Sequence, residues 1–105
     1  MKSYRVVWDN EAIKSLREIS DYIKKDSPTA ARRVRKTLLK LGEGLQRMPE
    51  RFSVEQYFDK TGIEYRSVSK WSYKIIYRVL DDKVKILRVV HTSRDLSDED
   101  FTEKS

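Results

Sequence analysis

The feature that most restricts the fold of this 105-residue chain is a change of hydrophobic period near its middle. From Ala12 to Pro49 the apolar residues recur at helical spacing, and beyond Gly62 they fall in strand-like runs. Ala12, Leu16, Ile19 and Ile23 share one face while Lys14, Arg17, Glu18, Lys24 and Lys25 lie mostly on the other, which predicts an amphipathic helix stopping near Asp26. Ser27-Pro28 then starts a second helix: the hydroxyl accepts from exposed first-turn amides, and proline suits a first position whose N–H has no partner. Its seam, Val34, Leu38, Leu41, Leu45 and Met48, predicts a helix carried to Pro49, with Gly42 and Gly44 loosening the last turns. A connection as short as Asp26-Ser27 makes the two helices an antiparallel hairpin.

Three β-rich runs follow, Ile63 to Ser69, Tyr73 to Leu80 and Val84 to His91, the last two joined by the turn signal Asp81-Asp82-Lys83. Near the start, Tyr4-Arg5-Val6-Val7-Trp8 reads as another strand, meeting a helix cap at Asp9-Asn10. The order β-α-α-β-β-β predicts an α+β domain with the helical hairpin on one face of a mainly antiparallel sheet, and leaves the place of the first strand open. In the middle run Tyr73, Ile75, Tyr77 and Val79 share one face, expected to meet the helices. Lys74, Ile76 and Arg78 share the other, expected to form a partly exposed basic concavity. Glu50 to Gly62 has no sustained period and is expected to be a loop tethered by Phe52, Tyr57 and Phe58. Residues 1–95 are assigned to one domain and 96–105 to an acidic tail, frayed or disordered, with Leu96 and Phe101 as anchors.

Charge and composition narrow the chemistry. The formal charge is +6, but from Asp95 onward Asp95, Asp98, Glu99, Asp100 and Glu103 face only Lys104, so a −4 tail follows a +10 body. Such a body attracts polyanions or an acidic protein partner. The chain has no cysteine, which excludes disulfides, a thiol nucleophile and thiolate metal sites, and its single histidine is too little for a typical zinc centre. No cofactor is expected. No apolar run approaches the roughly 20 residues of a membrane span, and Met1-Lys2-Ser3-Tyr4-Arg5 opens no signal peptide, so the expectation is a cytoplasmic protein without a membrane partner.

Several segments together carry a family likeness. They are Val6-Val7-Trp8 before Glu11-Ala12, the run Leu16 to Ile23, Ser27-Pro28-Thr29-Ala30-Ala31, Met48-Pro49, Tyr73 to Val79, and Ile86 to Asp95. In this order and spacing the chain resembles the ParE and RelE superfamily of toxins from type II toxin-antitoxin systems, over nearly its whole length. The paired helices, Ala30-Ala31 and the ending His91-Thr92-Ser93-Arg94-Asp95 look more like the ParE branch. The resemblance implies a RelE/ParE-like fold and a growth-inhibiting toxin neutralised by a cognate antitoxin. ParE-like toxins act on DNA gyrase without a known catalytic site; RelE-like toxins cleave messenger RNA on the ribosome.

The two branches ask for different residues. Metal-free RNA cleavage needs a base, an acid and a cation converging on one phosphate. Under that reading His91 is the acid or base, and Lys74, Arg78 and Arg94 hold the phosphate. Nuclease relatives usually have arginine where Lys74 stands, and often a tyrosine near the terminal catalytic positions, where this chain has Thr92, Ser93 and Leu96. Lysine lacks the planar two-pronged contact of arginine. The expectation is therefore a gyrase inhibitor, the alternative a ribosome-dependent endoribonuclease. Arg32, Arg33, Arg35, Lys36 and Lys40 place five cations on the second helix with no acid between them, either a solvated face or a docking surface for an acidic antitoxin segment or the target. Trp71, at a turn between strands, belongs to that interface or caps the sheet. The resemblance also makes Arg94 through Phe101 part of the toxic surface. DNA contact is expected only through the antitoxin.

Overall fold

The computed structural model describes residues 3–55, 62–93 and 96. Strand β1 (Arg5–Trp8) leads into helix α1 (Asn10–Lys24), followed by α2 (Pro28–Glu43) and then strands β2 (Arg66–Lys70), β3 (Tyr73–Val79) and β4 (Lys83–His91). Both helices begin where the cap signals stand. The Asp9 carboxylate accepts from the Glu11 N–H at 3.0 Å, and the Ser27 hydroxyl accepts from the Ala30 N–H at 3.1 Å, each satisfying a first-turn donor.

The strand order is β1-β4-β3-β2. β1 takes an edge and runs parallel to β4, in the register Arg5↔Lys83 to Trp8↔Ile86, while β3 pairs antiparallel with both β2 and β4. The helical hairpin covers one face. Ala12 and Leu16 of α1 and Leu38 of α2 meet Ile75 and Tyr77 of β3 and Val84, Ile86 and Val89 of β4 in the main core.

Three expectations are corrected. Helix α2 does not run to Pro49 but ends at Glu43, and two tight 3-10 turns, Gly44–Gln46 and Pro49–Arg51, carry the chain onward. Tertiary bonding turns it: the Tyr4 N–H donates to the Gln46 carbonyl at 2.8 Å, fastening this segment to the start of β1 while Leu45 still reaches the core. Secondly, part of the expected loop extends the sheet edge. Val54 bridges Arg66, the Glu55 N–H donates to Tyr65 and the Ser67 N–H to Ser53, at 2.7 and 3.1 Å. Phe52 packs on the core as expected, whereas Tyr57 and Phe58 lie outside the described residues.

The third correction concerns the far face of the sheet. Ile76 is opposite Arg88 and Tyr77 opposite Ile86, so Leu87 is an extra residue and β4 bulges there. The bulge lets Leu87 join Tyr65, Ile76 and Val90 in a second apolar cluster, with Ile63 and Leu96 packed on it. A small apolar core thus fills the middle of what alternation alone made a basic concavity. The assigned tail is outside the described residues except for Leu96, as is Arg94.

Candidate functional site

On α2 the side chains of Arg32, Arg33, Arg35, Lys36 and Lys40 are all exposed. Helical spacing brings four of them to one stripe: Arg32, Arg35, Lys36 and Lys40 line a groove of about 430 Å³ with Leu39, Glu43 and Ser20 of α1. Leu39 also packs on the main core, so the groove has an apolar floor and a cationic rim. Arg33 is not among the lining residues. The arrangement suits an acidic segment carrying an apolar anchor.

The residues of the nuclease alternative are distributed differently. Lys74 and Arg78 share the far face of β3, four residues apart, which is about 13 Å along a strand. The Lys74 ammonium is 3.1 Å from the Glu55 carboxylate, and both side chains are mostly buried. Arg78 lines a polar groove of about 450 Å³ with Arg66, whose guanidinium is held by the Glu50 and Phe52 carbonyls and by Glu64. Glu50, Glu64 and Asp81 also line that groove, so carboxylates are interspersed among its cations.

His91 closes β4 opposite Tyr73, on the helix-side face and not on that of Lys74 and Arg78. Its ring meets Tyr73 edge-on, centroids 5.7 Å apart, and its Nδ1 accepts from the Ser93 N–H at 3.2 Å and lies 2.7 Å from the Ser93 hydroxyl. Because Nδ1 accepts, a neutral ring carries its proton on Nε2. The structure therefore brings Lys74 and Arg78 onto one face and sets His91 on the other.

Trp71 begins the two-residue turn between β2 and β3 and is 52% exposed. Its φ of 55° lies in the left-handed region, unusual for so bulky a residue, and Lys70 reaches over its ring at 5.4 Å. Strained, exposed aromatic residues of this kind cluster at functional surfaces.

One feature escaped the sequence reading. Ser15, Glu18, Ile19 and Tyr22 of α1, with Tyr73 and the end of β4 from Val89 to His91, line a groove of about 320 Å³. Its signal was the unequal length of two apolar runs: β1 has four residues and β4 nine, so β4 outruns its parallel neighbour.

The sequence profile described as the ParE toxin of the type II toxin-antitoxin system parDE matches residues 6–96. The chain belongs to the ParE toxin family. The fold agrees with that membership. A structure titled as the chromosomal ParDE system from P. aeruginosa superposes with a TM-score of 0.70 at 18% identity, covering 87% of this chain and 98% of that one. The RelBE2 toxin-antitoxin complex from Mycobacterium tuberculosis gives a TM-score of 0.62 at 26% identity, over 87% of this chain and 93% of that one. Comparison with curated protein sequences gives no match. In this ParE-family chain the two helices on a four-stranded mixed sheet are thus shared with toxins of both branches. Among the described residues no helix is long and apolar enough to cross a membrane.

Proposed function

We propose that this ParE-family toxin is neutralised by a cognate antitoxin whose acidic segment lies along the cationic groove of α2, and that the free toxin inhibits DNA gyrase. The observation that carries the antitoxin reading is the groove itself, with Arg32, Arg35, Lys36 and Lys40 around Leu39. Such a rim speeds encounter with an acidic chain and selects it. The two structures compared above are described as a ParDE toxin-antitoxin system and a RelBE2 toxin-antitoxin complex, which supports a protein partner of that class.

Gyrase as the target is supported by the ParE profile and by the divided placement of the nuclease candidates. A phosphate gripped by Lys74 and Arg78 on the far face would lie across the sheet from His91. That arrangement suits an inhibitor that works by binding better than it suits acid-base cleavage.

The test is expression of the chain without an antitoxin, followed by supercoiling assays of gyrase with purified toxin and mapping of messenger ends in the same cells. Inhibited supercoiling with intact messengers is expected. Codon-phased cuts that disappear in His91→Ala, with gyrase unaffected, would establish the ribosome-dependent nuclease instead.

A further inference from the structure

The groove of α2 and the acidic tail of the same chain have complementary chemistry. Arg32, Arg35, Lys36 and Lys40 are exposed around the half-buried Leu39, and among the described residues no carboxylate forms an ion pair with any of the four. Such a groove asks for several negative charges beside one apolar group. Asp98-Glu99-Asp100-Phe101 supplies both, and no other stretch of the chain has three acids in a row. The lengths also agree: Arg32 to Lys40 is about 12 Å along a helix, and Asp98 to Phe101 about 10 Å in extended chain.

The tail leaves from the wrong side of the molecule to fill its own groove. Leu96 packs on the second apolar cluster, on the face of the sheet opposite the helical hairpin. A sheet-to-helix separation of about 10 Å, with side chains on either side, puts about 20 Å in a straight line between that cluster and the exposed face of α2. Phe101 is five residues beyond Leu96, a reach of at most about 17 Å, and the path around the sheet edge is longer than the straight line.

We propose that the groove of α2 receives residues 98–101 of a second copy of this chain, so that the free toxin associates head-to-tail. Asp98, Glu99 and Asp100 meet the cationic rim, and Phe101 covers Leu39. Exposed ion pairs are individually weak and two copies of charge +6 repel each other, so the expected Kd is between about 10 μM and 1 mM.

Sedimentation equilibrium of the full-length toxin tests this across about 20–500 μM, a range suited to such a Kd. The mass is expected to rise with concentration in the parent. Two variants, Arg35→Glu with Lys36→Glu in the groove and Asp98→Lys with Glu99→Lys and Asp100→Lys in the tail, are each expected to weaken association at least tenfold. Mixed in equal amounts they are expected to associate again, because each tail then meets a groove of opposite charge; that recovery also shows that both variants fold. A parent that stays monomeric, a variant that associates like the parent, or a mixture that stays monomeric overturns the proposal. Tail-dependent shifts of the Leu39 methyl signals that do not vary with concentration would assign the tail to its own groove, and overturn it too. The proposal uses the geometry of the groove and not the antitoxin reading. Self-association in a parent that binds no cognate antitoxin removes only the antitoxin reading, and antitoxin bound by a parent that stays monomeric removes only this one.

Discussion

The Trp8 indole lies against the backbone of Gly42, so closely that a Cβ at residue 42 would collide with the ring and stand 3.0 Å from Cδ1 of Ile86. This contact seats the last turn of α2 on β1 and β4. Gly42→Ala is expected to destabilise the protein by about 1–3 kcal/mol, although alanine is the better helix former by about 1 kcal/mol. Gly44 is a control, with nothing within 4 Å of an added Cβ and a φ of −62°. Gly44→Ala is expected to stabilise by about 0.5 kcal/mol. Thermal unfolding of both variants checks the contrast, and a Gly42→Ala protein as stable as the parent would mean that the ring swings aside.

The buried Tyr77 hydroxyl donates to the Pro49 carbonyl at 2.6 Å and ties the turn after α2 to the centre of the sheet.

Burial pushes the Tyr77 phenol up to about 12, opposed by the positive charges of Arg66 and Arg51. The folded value is above the unfolded one, near 10, so the stabilising contribution is complete below pH 10 and is lost as pH rises through about 12. Urea unfolding at pH 9 and pH 11.5 is expected to show a steeper loss in the parent than in Tyr77→Phe. Equal slopes would remove Tyr77 as the source.

Asp9 is fully buried, caps α1 and has Oδ1 3.8 Å from the Lys85 ammonium. Asp9→Ala removes the cap and leaves a mostly buried cation, and is expected to cost about 3–5 kcal/mol. Asp9→Asn keeps a capping oxygen and should cost clearly less. Denaturant midpoints of the two variants decide whether charge or cap dominates.

Reversing the charge of the α2 groove with Arg35→Glu and Lys36→Glu is expected to slow antitoxin association at least tenfold at low salt, with unfolding unchanged because both side chains are exposed. The difference should shrink as salt is raised. A salt-independent rate equal to the parent's would place the acidic segment elsewhere.

At Trp71, glycine relieves the left-handed backbone, so Trp71→Gly is expected to keep stability within about 1 kcal/mol of the parent despite the loss of a large aromatic. A larger drop in thermal midpoint would make Trp71 a structural cap and not a surface for a partner.

Legibility in the sequence followed the range of each interaction. The caps at Asp9 and Ser27 and the apolar faces of both helices were readable because they join residues two to four apart. The cations of α2 were readable for the same reason, since helical spacing alone gathers Arg32, Arg35, Lys36 and Lys40. Lys74 was named without its partner, because Glu55 is nineteen residues away. Gly42 was read as a weak point of the helix when it is a contact surface for Trp8.

By itself, the sequence determined the helical hairpin, the alternating strands and the segregation of a basic body from an acidic tail, all consequences of local periodicity and composition. Tertiary structure alone decided that β1 lies parallel to β4, that α2 stops at Glu43, that a bulge at Leu87 builds a second apolar cluster, and that β4 outruns β1. Those outcomes depend on which distant segments pair, as when Ser15 accepts from Val89 seventy-four residues away, and no local period encodes that choice.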